Sequence, residues 1–456
     1  MKMHRYVFLI AGCLVLLASL TLTGQDPKVV TDQHPPIDSF KALLGNQHQK
    51  RVDALATISA QWNDDDAGLM MESARFSQDP RSRDAIMNML ATKSGKQFGD
   101  FDQWYQWIWN QDVKLHPNYA SFKHDLYRQI DPLFAEYFSD NYKATIRLDE
   151  IRWGGVRRDG IPPLKNPETI LAAQATYLND SDVVFGVSFG GKARAYPKRI
   201  LAWHEMVKDH VGGLSINGVY CTLCGSMIIY ETEFGGIHYE LGTSGFLYRS
   251  NKLMYDHGTK SMWSTLKGEP VVGPLVGKGI KLKSRHVVTT TWGQWKADHP
   301  DTDVLSLNTG HRRDYGEGVA YRSYFATDDL MFTVPKIDKR LKNKDEVLIV
   351  RVGKEPVAIA AEFLTNNRVY HDQNDGTAFV VVTDISGANR VYESKDIQFD
   401  KHAGYRMIGS KDGQQWRVTE DALVSKDQSK RLNRLSAHRA FWFGWKADHP
   451  NVRLVK

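Results

Sequence analysis

A repeated segment constrains the fold of this chain more than any other feature of its sequence. Residues 292–300 read Trp-Gly-Gln-Trp-Lys-Ala-Asp-His-Pro, and residues 442–450 read Trp-Phe-Gly-Trp-Lys-Ala-Asp-His-Pro. Six identical consecutive residues are improbable by chance, and weaker matches upstream keep a similar spacing. The repeat predicts two tandem homologous modules, over about residues 165–315 and 330–456. We expect these modules to pack as a pseudo-symmetric pair.

Both modules are predicted to consist mainly of β-strands. Short runs of β-branched and aromatic residues alternate with turn formers from Thr145 onward, at 183–187, 193–196, 219–220, 228–230 and 237–241. Helical patterns are scarce there, and residues 198–210 are the best candidate. We therefore predict a first β-rich module over residues 145–320 and a second, degenerate β-rich module over residues 321–456.

Residues 37–144 have a different, helical pattern. Asp79-Pro80 and Ser94-Gly95 separate short segments in this region. Within the segments, apolar residues recur at three- and four-residue steps, at Phe40, Leu43, Leu44, Val52, Leu55 and Ile58. The sequence therefore predicts an α+β protein, with a small N-terminal α-helical (repeat-like) domain followed by a mainly β region.

The N-terminus has the charge order of an export signal. Two basic residues, Lys2 and Arg5, precede an uncharged apolar stretch over residues 6–22. That length is borderline for crossing a bilayer, so residues 1–24 are predicted to be either a cleaved signal peptide or an N-terminal anchor. Lipidation at Cys13 is less favoured, because the apolar run before it is short and continues beyond it. Residues 25–36 are predicted to be a linker.

The composition narrows the range of partners. The formal net charge of +6 is small for 456 residues, and no concentrated Lys/Arg run is present, so nucleic-acid binding is not expected. An exported protein would be periplasmic or lie on the outer face of the membrane, with membrane anchoring through its N-terminal segment as one alternative. The expected partner is an unknown small ligand or an envelope protein.

Residues 218–231 carry the strongest chemical signal. They hold Cys221 and Cys224, two of the three cysteines in the chain, in a predicted turn between short strands. Two thiols at this spacing can bind one metal ion or form a disulfide with each other. His204, in the predicted helix, is the best candidate for an imidazole ligand, and Met227 offers a thioether.

The second module lacks these groups. Aligning the two copies places Thr383 and Ser386 opposite the two cysteines, and Asn367 opposite His204. This contrast indicates that the first module carries the chemistry, although simple divergence of the second copy would also explain it.

Three functional hypotheses follow. The first is a soft-metal site for copper or zinc, because thiolate and thioether ligands favour Cu(I), whereas cysteine with histidine suits zinc. The second is a non-catalytic binding or scaffold protein of the cell envelope with a structural disulfide. The third, less favoured, is a thiol oxidoreductase, because the C-x-x-C pair does not open a helix in a βαβ unit. No residue is identified as catalytic.

Five further residues are candidates for lining a pocket. Glu205 follows His204 directly, and the remaining four lie in one polar stretch that ends in an aromatic residue. For that stretch a hydrogen-bonded turn is slightly favoured over a pocket wall. The candidates are Glu205, Asp256, Thr259, Ser261 and Trp263.

Several motifs resemble one known family. The segments His204-Glu-Met-Val-Lys-Asp209 and Tyr220-Cys-Thr-Leu-Cys-Gly225 are similar to the H-E-[IV]-V-N-D and Y-C-P-L-C-G patterns of the bacterial domain of unknown function 3179. Residues 255–263, 268–277 and 159–162 resemble further elements of that family. Lys208 and Thr222 depart from its usual Asn and Pro. The resemblance covers residues 150–320 closely and the second copy faintly, and it implies an exported bacterial protein without implying an activity.

We predict that the protein is exported and that residues 1–24 do not belong to its folded body. The basic residues followed by an apolar stretch are the physical basis of this prediction. Cell fractionation with N-terminal sequencing should locate the protein outside the cytoplasm. Recovery of the intact chain as a soluble cytoplasmic protein would contradict the prediction.

Overall fold

The computed structural model describes residues 33–404 and 406–456, so the predictions for the N-terminal signal and most of the linker lie outside the described residues. Its first part is helical. Asp79 caps α4 through its side chain, Pro80 starts that helix, and Gly95 ends it in the left-handed conformation. The helices are α1 (Ile37–Leu43), α2 (His48–Ala60), α3 (Ala67–Phe76), α4 (Pro80–Ser94), α5 (Phe101–Trp109) and α6 (Tyr119–Tyr127).

The chain between residues 143 and 305 is mostly strand. Two short helices interrupt it, α7 (Lys198–His204) and α8 (Trp292–Asp298). The strands are β1 (Lys143–Ala144), β2 (Ile151–Trp153), β3 (Leu164–Lys165), β4 (Thr169–Leu171), β5 (Val183–Phe189), β6 (Lys192–Pro197), β7 (Met206–Val211), β8 (Leu214–Cys221), β9 (Ser226–Glu231), β10 (Glu233–Phe234), β11 (Ile237–His238), β12 (Leu241–Tyr248), β13 (Asn251–Asp256), β14 (Met262–Ser264), β15 (Glu269–Gly273), β16 (Ser284–Arg285), β17 (Val288–Thr291) and β18 (Asp303–Leu305).

The rest of the chain also consists mainly of strands joined by short helices. It contains the short helices α9 (Arg322–Phe325), α10 (Ala361–Asn366) and α11 (Trp442–Asp448). Its strands are β19 (Glu346–Val350), β20 (Val357–Ala360), β21 (Val369–Asn374), β22 (Thr377–Thr383), β23 (Asn389–Glu393), β24 (Phe399–Gly404), β25 (Met407–Ser410), β26 (Gln415–Val418), β27 (Ala422–Ser425), β28 (Arg431–Asn433), β29 (Ala437–Phe441) and β30 (Arg453–Val455). The structure is therefore a mixed α+β fold with a mainly β region, as predicted.

Two sheets of the β region share one strand order. One runs β17-β5-β6-β18-β4 and the other runs β29-β19-β20-β30. In both, the first two pairings are antiparallel, and the third, β18 with β6 or β30 with β20, is parallel. The helices α8 and α11 follow β17 and β29 directly, and each carries one copy of the repeated sequence. Trp295 and Trp445 are both buried there.

The helices share their core with a third sheet. This sheet has the order β1-β15-β14-β13-β12-β2. Phe246 of β12 packs against Tyr127 of α6 and against Phe134, with ring centroids 4.8 and 4.7 Å apart. The helical segment and this sheet therefore share one apolar cluster, to which the helices contribute most of the residues. Among the described residues, no helix is long and apolar enough to cross a bilayer.

A buried ionic cluster joins α8 to the later sheets. Arg390 of β23 lies 3.3 Å from Asp298 of α8 and donates to Glu420 at 2.8 Å. Burial alone would raise the pKa of Glu420, but the guanidinium of Arg390, with those of Arg434 and Arg406, holds it well below its usual value. Because these groups are buried and mutually paired, the contact specifies one arrangement of the two parts.

The predicted helix over residues 198–210 is shorter than expected. It ends at His204, because Glu205 adopts a left-handed backbone with φ of 53°. The chain then enters β7, where Val207 and Val211 are buried. The reversal at Glu205 brings the end of the helix beside the C-x-x-C turn, since the amide of Tyr220 donates to the Glu205 carbonyl at 2.9 Å.

We predict that Gly186→Ala will destabilise the protein. A methyl group at this position of β5 would lie 2.3 Å from the indole of Trp295, which is itself fully buried and has no room to move. Overpacking of this kind costs about 1–3 kcal/mol of unfolding free energy. Gly99→Ala is the matched control, because nothing lies within 4 Å of its added methyl. Urea denaturation should separate the two variants, and equal stabilities would contradict the packing described here.

Candidate functional site

The C-x-x-C pair lies in the turn between β8 and β9. Cys221 is the last residue of β8 and pairs with Ser226, the first residue of β9. Gly225 closes the turn with a positive φ of 58°, and a side chain there would collide with the ring of Phe441. The tight turn between strands was predicted from the sequence. Of the two alternatives left open for the thiols, the structure contains the Cys221–Cys224 disulfide.

Residues far along the chain seal this turn from solvent. Each cysteine is only 1% exposed. The carbonyl of Leu223 accepts a 2.6 Å hydrogen bond from the Tyr324 hydroxyl, and the carbonyl of Cys224 accepts one of 2.7 Å from the Phe441 amide. Gly444 of α11 packs so closely on Cys224 that a methyl there would approach its Cβ to 2.8 Å. The disulfide therefore has no open face.

The predicted metal ligands are not brought together. His204 is buried with both ring nitrogens engaged, Nδ1 by the carbonyl of Pro162 at 2.8 Å and Nε2 by the hydroxyl of Tyr315 at 2.6 Å. The carbonyl can only accept, so Nδ1 carries the proton and Nε2 accepts from Tyr315. Burial also lowers the pKa of His204, which keeps the ring neutral. The role of this histidine is thus to hold two chain segments together.

Met227 and the two cysteine sulfurs do not form a donor set either. Met227 belongs to a different apolar cluster from Cys221 and Cys224, and its methyl group lies over Gly218. The two sulfurs are bonded to each other and offer no thiolate. Within residues 33–404 and 406–456, no group of three or more His, Cys, Asp or Glu side chains could hold a metal ion. The donor set predicted for copper or zinc does not fit an ion in this arrangement.

Glu205 is the centre of a buried polar network beside the disulfide. One oxygen, Oε1, accepts from the Thr222 hydroxyl at 2.7 Å and from the Tyr321 hydroxyl at 2.9 Å. The other, Oε2, accepts from the ammonium of Lys252 at 3.1 Å. Glu205 and Lys252 are only 7% and 4% exposed. The backbone of Glu205 is strained, and its carboxylate is paired with one buried cation. Such a residue keeps its conformation only because the surrounding structure holds it in place.

This arrangement places an acid–base group close to the cysteine pair. Thr222, which donates to Glu205, lies between the two cysteines in the sequence. The amide of Cys224 also points at the Cys221 sulfur, at 3.4 Å. Such an N–H would stabilise a thiolate on Cys221 if the disulfide were reduced. The geometry would therefore support thiol chemistry only after reduction and after opening of the sealed turn.

The segment between β18 and β19 holds the C-x-x-C turn and its neighbours in place. Three of its tyrosines donate from their hydroxyl groups, Tyr315 to His204, Tyr321 to Glu205 and Tyr324 to the carbonyl of Leu223. Sequence reasoning found Glu205 but missed these tyrosines and Lys252. Lys252 directly precedes the apolar run Leu253-Met-Tyr, which was the one local signal, and the structure buries it with every other residue of β13. The tyrosines gave no comparable local signal.

The four remaining candidates form a turn rather than a pocket wall. The carboxylate of Asp256 accepts from the Thr259 amide and hydroxyl, at 2.6 and 2.8 Å, and from the Trp263 indole at 3.2 Å. Ser261 bonds to the Thr259 hydroxyl at 2.8 Å and accepts from the Leu275 amide. These side chains satisfy one another, so their role is to hold the connection between β13 and β14.

We predict that Lys252→Met will destabilise the protein strongly. The substitution leaves the Glu205 carboxylate buried without its cation, which costs about 3–5 kcal/mol of unfolding free energy. Adding Glu205→Gln should recover part of this loss, because the uncompensated charge is then removed. Lys165→Met is the control, since its pair with Glu240 is exposed and worth at most about 1 kcal/mol. Additive losses in the double variant, measured by urea denaturation, would contradict the coupling.

Comparison with known proteins adds one match. No curated protein and no solved structure matches this sequence. The sequence profile of one family, described as protein of unknown function (DUF3179), matches residues 158–452, well over half of the chain. The match includes the C-x-x-C turn, Glu205 and Lys252, and it extends through the connecting segment into the later sheets. The resemblance that the motifs predicted is thereby confirmed: the chain belongs to the DUF3179 family.

Proposed function

We propose that this chain is an exported, non-catalytic binding or scaffold protein of the cell envelope whose Cys221–Cys224 disulfide is structural. One observation carries the proposal: the disulfide is closed, and the turn that holds it is buried under side chains from distant parts of the chain. Catalytic and regulatory thiols lie in accessible environments, whereas buried cysteines are inert. The expected partner is a small ligand or another envelope protein.

The N-terminal sequence supports the same proposal. Disulfides persist in oxidising compartments and are rare in the cytosol. The charge order of residues 1–24 is typical of export, which would deliver the chain to such a compartment. Periplasmic release and anchoring at the outer face of the membrane are equally compatible with a structural disulfide.

We further propose that the β region consists of two homologous modules preceded by a helical domain. The common strand order of the two sheets and the matching positions of α8 and α11 support the duplication. The contacts are also reciprocal. The C-x-x-C turn packs on α11, while Ser386, in the corresponding turn of the second copy, bonds to Thr290 just before α8 at 3.0 Å. Reciprocal contacts of this kind are expected for a pseudo-twofold pair.

We predict that Cys221 and Cys224 are oxidised in the purified protein and that neither reacts as a thiol while the protein stays folded. Both cysteines should react with a thiol reagent only after unfolding in the presence of reductant, because the sealed turn excludes both reagents. The Cys221→Ser/Cys224→Ser variant should fold with the same secondary structure, at a cost of about 2 kcal/mol for losing so short a loop. Native mass spectrometry, thiol labelling and urea denaturation measure these three quantities.

The same measurements separate the alternatives. Ready reduction of the folded protein, with mixed disulfides trapped by Cys224→Ser, would favour a thiol oxidoreductase. Copper or zinc bound after reduction, and lost in both Cys221→Ser and His204→Ala, would favour the soft-metal site. Either result would contradict a purely structural disulfide.

A further inference from the structure

A cleft lies where the first β-rich region meets the second, away from the disulfide. Its volume is about 590 Å³, within the range of small-molecule sites. One wall comes from residues 266–284, and the other comes from residues 351–356 and 445–451. The cations that line it are Lys267, Lys281, Arg351 and Lys354. The cleft therefore has the size of a ligand site, and it is lined by four cations and by the three carboxylates of Glu269, Glu355 and Asp448.

Arg351 is the partly buried cation of this cleft that forms no ion pair in the described part of the chain. Its Nε donates to Nδ1 of His438 at 3.3 Å, and its Nη2 donates to the carbonyl of Leu266 at 2.6 Å. Its guanidinium also lies 5.6 Å from the centre of the Trp445 ring. Burial holds the pKa of His438 well below its usual value, so this partner is neutral. No carboxylate lies within ion-pair distance of Arg351 in the described part of the chain.

Three other arginines of the β region, unlike Arg351, form ion pairs. Arg390, Arg406 and Arg434 all pair with the single carboxylate of Glu420. Arg351 instead resembles Arg322 and Arg368, which donate to backbone carbonyls, but unlike them it lines this cleft. Isolated cations are costly to desolvate, and a ligand anion at Arg351 would supply the missing charge.

The remaining groups of the cleft allow a local anion site. Lys267 lies 3.4 Å from Asp448 and is partly neutralised by it. Lys281 and Lys354 are exposed, and neither ammonium forms an ion pair among residues 33–404 and 406–456. Glu269 and Glu355 also line the cleft, so the attraction for an anion is confined to the neighbourhood of Arg351 rather than spread over a broad basic surface.

The indole of Trp445 adds an unused donor. It is 1% exposed, and its Nε1 has no hydrogen-bond partner in the described residues. In the other copy of the repeat, the indole of Trp295 donates to the Thr302 hydroxyl at 2.9 Å. A buried N–H without an acceptor is expensive, so an acceptor brought by a ligand or by a bound water would stabilise this wall of the cleft.

We propose that this cleft binds a small molecule through an anionic oxygen group, a phosphate or a carboxylate, held by the guanidinium of Arg351. A guanidinium carries five N–H donors, so those that His438 and Leu266 leave free remain for an anionic oxygen of either group. Lys281 and Lys354 add attraction from the rim. The inference deepens the binding role proposed above by naming a site and a ligand class, and it does not depend on the state of the disulfide.

The test is calorimetric binding of inorganic phosphate and of succinate to the full exported protein at low salt. Arg351→Gln should weaken binding at least about tenfold, because it removes the positively charged donor. Lys281→Gln, an exposed change that does not threaten folding, should weaken it about threefold through the lost attraction at the rim. Arg417→Gln is the matched control, since that arginine lies on an exposed strand position outside the cleft.

Each outcome decides the inference. Stronger binding of phosphate than of succinate, or the reverse, with loss in Arg351→Gln and in Lys281→Gln, supports it and identifies the anionic group. Absence of binding by the wild type overturns it, as does equal affinity in Arg351→Gln, Lys281→Gln and Arg417→Gln. If the protein binds neither anion but its disulfide is closed and structural, this inference is wrong, and the role proposed for the disulfide is unchanged.

Discussion

The hydrogen bond from the Phe441 amide to the Cys224 carbonyl is the contact on which the architecture around the disulfide depends. It ties the C-x-x-C turn of the first β-rich region to the strand that leads into α11. Gly225 and Gly444 allow this approach, because a side chain at either position would collide with Phe441 or with Cys224. The turn therefore has two functions at once, as a covalently closed loop and as a docking surface for the second region.

The charged groups near this junction are distributed unevenly. Glu420 gathers the guanidinium groups of three arginines, and Arg390 also reaches Asp298 of α8. Arg351, by contrast, has only neutral hydrogen-bond partners, and an open cleft lies beside it. A buried ionic cluster that is fully paired specifies how parts of a protein pack, whereas an unpaired cation beside a cavity has attraction left for a ligand. The two places therefore have different physical roles.

The sequence predicted some elements of the candidate site well and others poorly. The C-x-x-C turn and the strands around it follow from short segments with clear local signals, whereas Glu205 was named only as a residue that could line a pocket. The metal-ligand hypothesis grouped His204 and Met227 with the cysteines because of their residue types and their proximity along the chain. In the structure, the carbonyl of Pro162 and the hydroxyl of Tyr315 occupy the two ring nitrogens of His204. Residue type indicates what a side chain could bind, but only its actual neighbours decide what it does bind.

The sequence by itself determined the mixed α+β character, the family and the tight turn that holds the cysteines, because hydrophobic periodicity, motifs and turn residues are local properties. Only the tertiary structure decided that Lys252 and Tyr321 reach Glu205, and that Phe441 covers the disulfide. Along the chain, Lys252 lies 47 positions from Glu205, and Tyr321 lies 116 positions from it. Contacts over such separations arise from how the sheets pack, and no local pattern in a single sequence encodes them.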